Sequence, residues 1–290
     1  MRFAPQLAEH AVAVTLSDAT RIAYVDSAPS GRSEPIILVH GLQDEADSWR
    51  HVFQPLARQR RVLALDLPGF GRSDKRERRY SIDTFAGAML RWLDALDIPR
   101  ASFIGNSMGA MICEQIALTQ PGRVRDLTLV DGTLAITRQP AGSRGALLRR
   151  LFASWLDKRY FAKLRQSPQA AYDTLRGYYG DLGSLPQDDR DFLFQRVNER
   201  VWDEGQRLAA LSAQMNFAPF FVRNMSAIKR GVPQLSMPTA VIWGSKDSVF
   251  PLVNGAARAG MQAGARYIEI AGAGHLPHQE RPEAFVEALN

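Results

Sequence analysis

A serine between two glycines is the strongest chemical signal in this sequence of 290 residues. Ser107 is the centre of Gly105-x-Ser107-x-Gly109, which follows an apolar run at 101–104 and precedes a helical pattern at 110–118. A strand that turns sharply into a helix exposes the serine hydroxyl, and the flanking glycines let the two backbones approach each other. Because a free serine is a weak nucleophile near neutral pH, the motif predicts catalysis only if a base and an orienting acid complete it.

Candidates for the base and the acid follow later strands of the same predicted sheet. His275 lies on a loop after the strand-like segment 265–270, and Asp247 lies on the loop that leaves the apolar segment 239–243. Because the carboxyl ends of parallel strands meet at one edge of a sheet, we expect the three side chains to come together there. We therefore predict Ser107 as the nucleophile, His275 as the general base and Asp247 as the acid that orients it.

The order Ser, Asp, His, together with His40-Gly41 after another predicted strand, resembles the α/β-hydrolase family. The resemblance spans the chain from about residue 22 to residue 287 and is interrupted by an insertion. It implies an oxyanion hole formed by two backbone N–H groups, those of Leu42 and Met108. It also implies chemistry that requires no metal and no organic cofactor, so we predict neither.

The elements that must position these residues have the pattern of an α/β protein. From the third predicted strand onward, most strands are followed by a helical pattern, which implies a mainly parallel, doubly wound sheet with both faces covered. The predicted strands are 12–16, 20–26, 35–39, 62–65, 101–106, 127–131, 239–243 and 267–270. Together with the resemblance, this pattern predicts the α/β-hydrolase fold.

The alternation of strands and helices stops after Gly132 and resumes near Pro238. The residues between them contain helical patterns, such as 147–156 with apolar residues at 148, 151, 152 and 155. They resemble the helical cap that many α/β-hydrolases insert after the sixth strand. We predict a first part of the hydrolase core at 1–133, a helical cap at 134–236 and a second part of the core at 237–290.

The positive charge of the chain is concentrated in the predicted cap. The net charge of the chain is +6, and residues 134–236 carry 16 Lys and Arg against 9 Asp and Glu, whereas the rest carries 20 against 21. A basic cap with apolar side chains is compatible with an anionic interface or an acidic substrate. A solvated, arginine-rich helix face explains the charge as well. We predict no nucleic-acid partner, because no recognised binding module accompanies the charge.

Two residues compete with the predicted site. Asp131 also ends a strand and is an alternative acid, but the loop 244–247 matches the acid position of the family, which favours Asp247. His278 lies three residues after His275 and suggests a metal pair, but no third ligand at suitable spacing accompanies it. We therefore predict no metal site and a packing role for His278.

The reaction that these parts suit best is hydrolysis of a small carboxylic ester or lactone through an acyl-enzyme on Ser107. A hydrolysable acyl group needs only the triad and the oxyanion hole. Aromatic residues at 152–155, 178–179 and 217–221 would suit a hydrophobic acyl or aryl pocket, although they would equally suit the core of the cap.

Two other functions stay open. Relatives that cleave carbon–carbon bonds in ring-fission products often have Gly-Asn-Ser-Met-Gly, as this chain does. They usually also have a glycine where this chain has Gln43 and a tryptophan where it has Leu276. A function of another class is a ligand receptor on the same fold that turns over slowly or not at all.

Composition indicates a folded chain without covalent crosslinks. The hydrophobic content of 46% is enough for a large core, and the single cysteine, Cys113, allows no intrachain disulfide. The first ten residues lack the apolar stretch of a signal peptide, and no segment has the length of a transmembrane helix. We therefore expect a soluble, cytoplasmic protein.

Overall fold

A computed structural model describes residues 1–27, 34–76, 79–136 and 158–290. These residues are organised around one eight-stranded sheet. The helix predicted at 147–156 and the aromatic cluster at 152–155 lie outside the described residues.

All eight predicted strands are present, in the order β1-β2-β4-β3-β5-β6-β7-β8 across the sheet. Strand β2 pairs antiparallel with β1 and β4, and the other neighbours are parallel. β6 begins three residues earlier than predicted, because Arg125 and Asp126 interrupt the apolar run while Val124 still pairs with Ala101. The strands are β1 (Ala11–Thr15), β2 (Arg21–Asp26), β3 (Ile36–Val39), β4 (Val62–Leu65), β5 (Ala101–Asn106), β6 (Val124–Val130), β7 (Thr239–Gly244) and β8 (Arg266–Ile270).

Both faces of the sheet are covered by apolar side chains, as predicted. In β3, Ile37 and Val39 belong to one buried cluster, whereas Ile36 and Leu38 belong to another. Successive residues of a strand point to opposite faces, so the two clusters lie on opposite sides of the sheet. A strand buried on both faces explains the continuous apolar run at 36–39.

Nine α-helices lie wholly within the described ranges, and residues 158–165 are also helical. The helix at 82–95 shows why the sequence forms them: Ser81 caps its first turn through a reciprocal pair of hydrogen bonds with Thr84, and its apolar residues repeat along one buried face. The helices are α1 (Phe53–Ala57), α2 (Ile82–Ala95), α3 (Met108–Thr119), α4 (Pro168–Asp173), α5 (Gln187–Trp202), α6 (Glu204–Gly231), α7 (Leu252–Gly260), α8 (Pro277–Glu280) and α9 (Pro282–Ala288).

The segment between β6 and β7, here called the insertion, is helical and contains no strand wherever the structure describes it. Its long helix α6 places Ala209, Ala213 and Phe220 in the same buried cluster as residues of α2. The insertion therefore shares a core with the sheet domain. No helix in the described ranges has both the length and the apolar character needed to cross a membrane.

A fully buried ion pair joins α3 to α7. Glu114 accepts a hydrogen bond from the Arg258 guanidinium, and neither side chain is exposed to solvent. The second oxygen of Glu114 accepts from Thr133 Oγ1 at 2.9 Å and from the Leu134 backbone at 2.6 Å. The pair thus fixes the loop that leaves β6, which is the loop behind the predicted nucleophile.

We expect Arg258→Met to lower the free energy of unfolding by about 3–5 kcal/mol, because Glu114 would keep a buried charge without a cation. Urea denaturation measures the loss. The control is the double variant Arg258→Met/Glu114→Gln, which removes the charge and retains an acceptor oxygen, and it should recover much of the stability. A loss below about 1 kcal/mol in the single variant would contradict this account.

Candidate active site

Ser107 lies on the sharp turn between β5 and α3, as the motif predicts. Its backbone has φ +54° and ψ −116°, and its N–H donates to the Val130 carbonyl at 2.8 Å. A side chain at positive φ is strained, and such strain persists only where the surrounding structure imposes it. Ser107 is half-buried, whereas its neighbours Asn106 and Met108 are buried.

The glycines of the motif are required by close contact between backbones. A Cβ atom at Gly105 would lie 2.4 Å from the carbonyl oxygen of Gly109, and a Cβ at Gly109 would lie 2.2 Å from the carbonyl oxygen of Val39. After β6, a Cβ at Gly132 would lie 2.4 Å from the carbonyl oxygen of Ser107. The turn therefore has its shape because β3, β5, α3 and the loop after β6 meet there without side chains between them.

Asp247 and His275 form a buried hydrogen-bonded pair. His275 Nδ1 donates to Asp247 Oδ2 at 3.0 Å, and the two residues are 2% and 7% exposed, His275 being the more buried. Asp247 Oδ1 accepts two further hydrogen bonds, from the backbone N–H groups of Val249 and Phe250 at 2.7 and 3.1 Å. Because a carboxylate only accepts, Nδ1 carries the proton, and Nε2 keeps its lone pair for another donor.

A side-chain hydrogen bond and a close contact connect this pair to the Ser107 turn. Asn106 Nδ2 donates to the carbonyl oxygen of His275 at 3.0 Å, so the residue before Ser107 holds the histidine loop. On the other side, a Cβ at Gly41 would lie 3.3 Å from the Ser107 Cβ. The loops after β3, β5 and β8 therefore meet at Ser107, at the carboxyl edge of the sheet.

The predicted oxyanion residues flank this point. Met108 is the first residue of α3, and Leu42 follows Gly41 on the loop after β3. That loop is fixed by His40, whose Nε2 accepts from the Leu67 N–H at 2.9 Å and whose Nδ1 donates to the Gly41 carbonyl at 2.7 Å. Burial lowers the pKa of His40, and the Leu67 donor requires a neutral ring. His40 therefore acts on the loop as a neutral hydrogen-bonding side chain.

Charged residues anchor the same loop to the insertion. Arg196 of α5 pairs with Glu45 at 2.9 Å and with Asp47 at 2.7 Å. Arg200, one turn later, pairs with Asp44 at 2.7 Å and with Glu45 at 2.9 Å. Burial opposes the charge of Glu45, but the neighbouring arginines outweigh that effect and lower its pKa.

The insertion also contacts the histidine loop. The His275 N–H donates to the Tyr178 carbonyl at 2.7 Å. Glu280 bridges the two segments, because one oxygen accepts from the Gly274 N–H at 2.7 Å and the other accepts from the Gly180 N–H at 2.8 Å. The position of His275 thus depends on the insertion as well as on β8.

The alternative acid, Asp131, lies beside the pair. Its Oδ1 accepts from the Gly244 N–H at 2.9 Å, and its side chain is fully buried. Burial and the neighbouring Asp247 charge raise the pKa of Asp131 well above the usual aspartate range. The histidine ring nitrogen bonds to Asp247, so Asp247 and not Asp131 is the acid that contacts the predicted base.

Asp131, Asp247 and His275 each offer an atom within 4.8 Å of the others, a spacing that a metal ion also accepts. Two hydrogen bonds account for this spacing without a metal ion: His275 donates to Asp247, and the Gly244 N–H donates to Asp131. His278 lies apart from the group: it stacks on Trp49 at 4.1 Å and bonds Ser48 Oγ at 2.9 Å.

Comparison with known proteins decides the family. Residues 34–282 match the family model described as alpha/beta hydrolase fold. The chain belongs to the α/β-hydrolase family. Membership confirms the resemblance and the predicted fold, and it confirms the coarser prediction that the protein is a hydrolase of this fold.

Similar proteins of this family have several activities. The pimeloyl-[acyl-carrier protein] methyl ester esterase of Methylococcus capsulatus is 28% identical over 269 residues, which cover 89% of this chain and 94% of that protein. The 2-hydroxymuconate semialdehyde hydrolase of a Pseudomonas species is 27% identical over 264 residues, covering 90% of this chain and 87% of that protein. The crystal structure of the enol-lactonase from Burkholderia xenovorans LB400 superimposes with a TM-score of 0.76 at 21% identity, covering 96% and 98% of the two chains. Similarity at that identity shows the fold alone.

Sequence reasoning missed the residues through which this α/β-hydrolase joins its insertion to the site. Glu45, Arg196 and Glu280 are charged residues in polar stretches, where a solvated position is the usual expectation. Only the buried partners of these residues, which are distant in sequence, reveal that they are structural.

We expect Glu280→Ala to lower the free energy of unfolding by about 2–3 kcal/mol, because the buried N–H of Gly274 and the half-buried N–H of Gly180 lose their acceptors. Urea denaturation measures the change. The matched control is Glu283→Ala, an exposed glutamate three residues later, for which we expect a change within about 0.5 kcal/mol. Equal losses in both variants would show that the hydrogen bonds of Glu280 to Gly274 and Gly180 add no stability.

Proposed function

We propose that this hydrolase cleaves carboxylic esters or lactones of hydrophobic small molecules through an acyl-enzyme on Ser107. The observation that carries the proposal is the 3.0 Å hydrogen bond between His275 Nδ1 and Asp247 Oδ2, on loops that meet the strained turn of Ser107. A base oriented by an acid, next to a serine at the start of a helix, is the arrangement that acyl transfer requires.

In this mechanism, Ser107 Oγ attacks the carbonyl carbon while His275 Nε2 takes the hydroxyl proton. The tetrahedral oxyanion is stabilised by the N–H groups of Leu42 and Met108. The bond to the leaving alcohol then breaks, and His275 gives that alcohol the proton. In the second half, His275 deprotonates water, which attacks the acyl-enzyme and releases the acid and the free serine. Asp247 stabilises the imidazolium that forms in each half.

The surroundings of His275 support an apolar substrate. Tyr178 is 43% exposed, and the centroid of its ring lies 6.0 Å from that of the histidine ring. The ring of Phe250 stacks with the imidazole, with centroids 5.9 Å apart and planes at 15°. Aromatic side chains beside the base favour an acyl or aryl group over a charged one.

We further propose that residues 134–236 form a cap over this site. The contacts of Tyr178 and Gly180 with the histidine loop support this role. Part of the basic charge of the cap is neutralised by the sheet domain, since Arg196 and Arg200 pair with acids of the loop after β3. We therefore assign these two arginines to the attachment of the cap and not to an anionic interface.

Cleavage of a carbon–carbon bond is the second candidate. It is favoured by the Asn106-Ser107-Met108 sequence and by the similarity to the 2-hydroxymuconate semialdehyde hydrolase. Incubation with a ring-fission diketone separates the two candidates. Turnover of the diketone without turnover of esters would replace the ester proposal.

We expect Ser107→Ala to abolish hydrolysis of short and long p-nitrophenyl esters, and to abolish the burst of nitrophenol that an acyl-enzyme gives in the wild type. The preference for chain length in the wild type reports how large an acyl group the site admits. The control is Ser226→Ala on the exposed face of α6, which should turn over like the wild type. A Ser107→Ala variant that still hydrolyses the esters would contradict an acyl-enzyme on Ser107. A biological effect that survives the substitution would favour the receptor function.

We expect Asp247→Asn to fold normally and to slow turnover by about 10⁴-fold, as in the comparable serine-protease triad, because the imidazole loses its orientation and the stabilisation of its charge. Asp131→Asn should cost far less, since Asp131 accepts from Gly244 and not from His275. Single-turnover kinetics of both variants measure the difference. If the larger loss followed Asp131→Asn, the two acids would have to exchange roles.

A further inference from the structure

Two carboxyl groups lie close to a nitrogen of the His275 ring, although the proposed triad uses only one of them. An oxygen of Asp131, an oxygen of Asp247 and a ring nitrogen of His275 lie within 4.8 Å of one another, and all three side chains are buried. Two carboxylates that share such a site do not both ionise, because each disfavours the charge of the other and neither is solvated. One of the two acids therefore holds a proton.

The hydrogen-bond donors around each acid identify which one it is. Asp247 accepts from the Val249 N–H, the Phe250 N–H and His275 Nδ1, and three donors favour the ionised form. Asp131 accepts from one donor, the Gly244 N–H, through Oδ1. Its Oδ2 is buried and has no donor among the described residues. An oxygen without a donor beside an anion is where a proton is most favourable.

We propose that Asp131 is a positioning residue that donates a hydrogen bond from protonated Oδ2 to the Asp247 carboxylate and so fixes the acid that orients His275. This inference rests on the proposed function, because it assigns a role relative to the same triad. The high pKa of Asp131, which arises from its burial and then from the charge of Asp247, agrees with it. The backbone also agrees, since Asp131 has φ +47°, a left-handed conformation that aspartate and asparagine tolerate better than most residues.

A hydrogen bond from Asp131 also changes how strongly Asp247 acts on His275. A carboxylate that accepts an additional hydrogen bond attracts a neighbouring cation less strongly, so the Asp131 donor weakens the stabilisation of the imidazolium by Asp247. The other titratable groups that act on Asp131 from neighbouring elements are Glu280 of α8 and Tyr267 of β8. Neither is substituted in the test, so their contribution stays constant.

The test compares the pH dependence of kcat/KM in the wild type, Asp131→Asn and Asp131→Ala. Asparagine keeps a donor and adds no charge, so we expect the acid limb to stay at the pH of the wild type. Alanine removes the donor, so we expect the acid limb to move to higher pH. If Asp131 were instead ionised, Asp131→Asn would remove a negative charge near the imidazole and move the acid limb to lower pH by about one unit or more. That result would overturn the proposal.

An infrared difference spectrum provides a readout that is independent of turnover. The spectrum of Asp131→Asn is subtracted from that of the wild type at neutral pH. We expect the difference to contain the carbonyl band of a protonated carboxylic acid, which only the wild type has. The absence of that band would overturn the proposal, even if the triad is correct. The same spectrum of Ser107→Ala should retain the band. If Ser107→Ala still hydrolysed esters, the proposed function would fail. The infrared band would still show whether Asp131 is protonated, so the two failures can be distinguished.

The asparagine variant carries the test, because alanine at φ +47° is strained and lowers stability for an unrelated reason. Thermal unfolding of each variant checks that it is folded at the pH of the kinetic measurement. The same pH profile is recorded for Asp126→Asn, a half-buried aspartate at the opposite end of β6, and its acid limb should match the wild type.

Discussion

Close backbone contact at the Ser107 turn is the constraint on which the rest of the site depends. Strands β3 and β5, helix α3 and the loop after β6 approach to distances at which a Cβ atom at Gly105, Gly109 or Gly132 would overlap a carbonyl oxygen. This contact imposes the positive φ of Ser107 and brings Gly41 beside it. Wider spacing between these elements would release the strain and separate the loops that supply the remaining groups.

Buried charges connect this edge of the sheet to the insertion. Glu45 would be costly in the interior without Arg196 and Arg200, and the arginines would be costly without it. Such pairs add little to stability, but each partner requires the other, so the loop after β3 and helix α5 take one relative position. Glu280 acts in the same way at the histidine loop, through two backbone donors.

Burial also determines the protonation states at the site. His40 is neutral because the Leu67 N–H occupies one ring nitrogen, and Asp247 is stabilised as an anion by three donors. Asp131 has a single donor, so it is the acid that holds a proton in our proposal. Between two buried carboxyl groups of the same type, the group with more hydrogen-bond donors is the one favoured as the anion.

The sequence alone determined the fold, and it predicted the residues of the candidate site. The alternation of strand and helix patterns predicted all eight strands. The positions of Ser107, Asp247 and His275 after strands predicted that they share one edge, because parallel strands end together. Tertiary structure decided what depends on contacts distant in sequence. Asp131 and Asp247 both follow strands, and only the orientation of the His275 ring distinguishes them. The sequence pattern also could not predict that buried arginines attach the insertion, because a charged residue in a polar stretch has no local signal of burial.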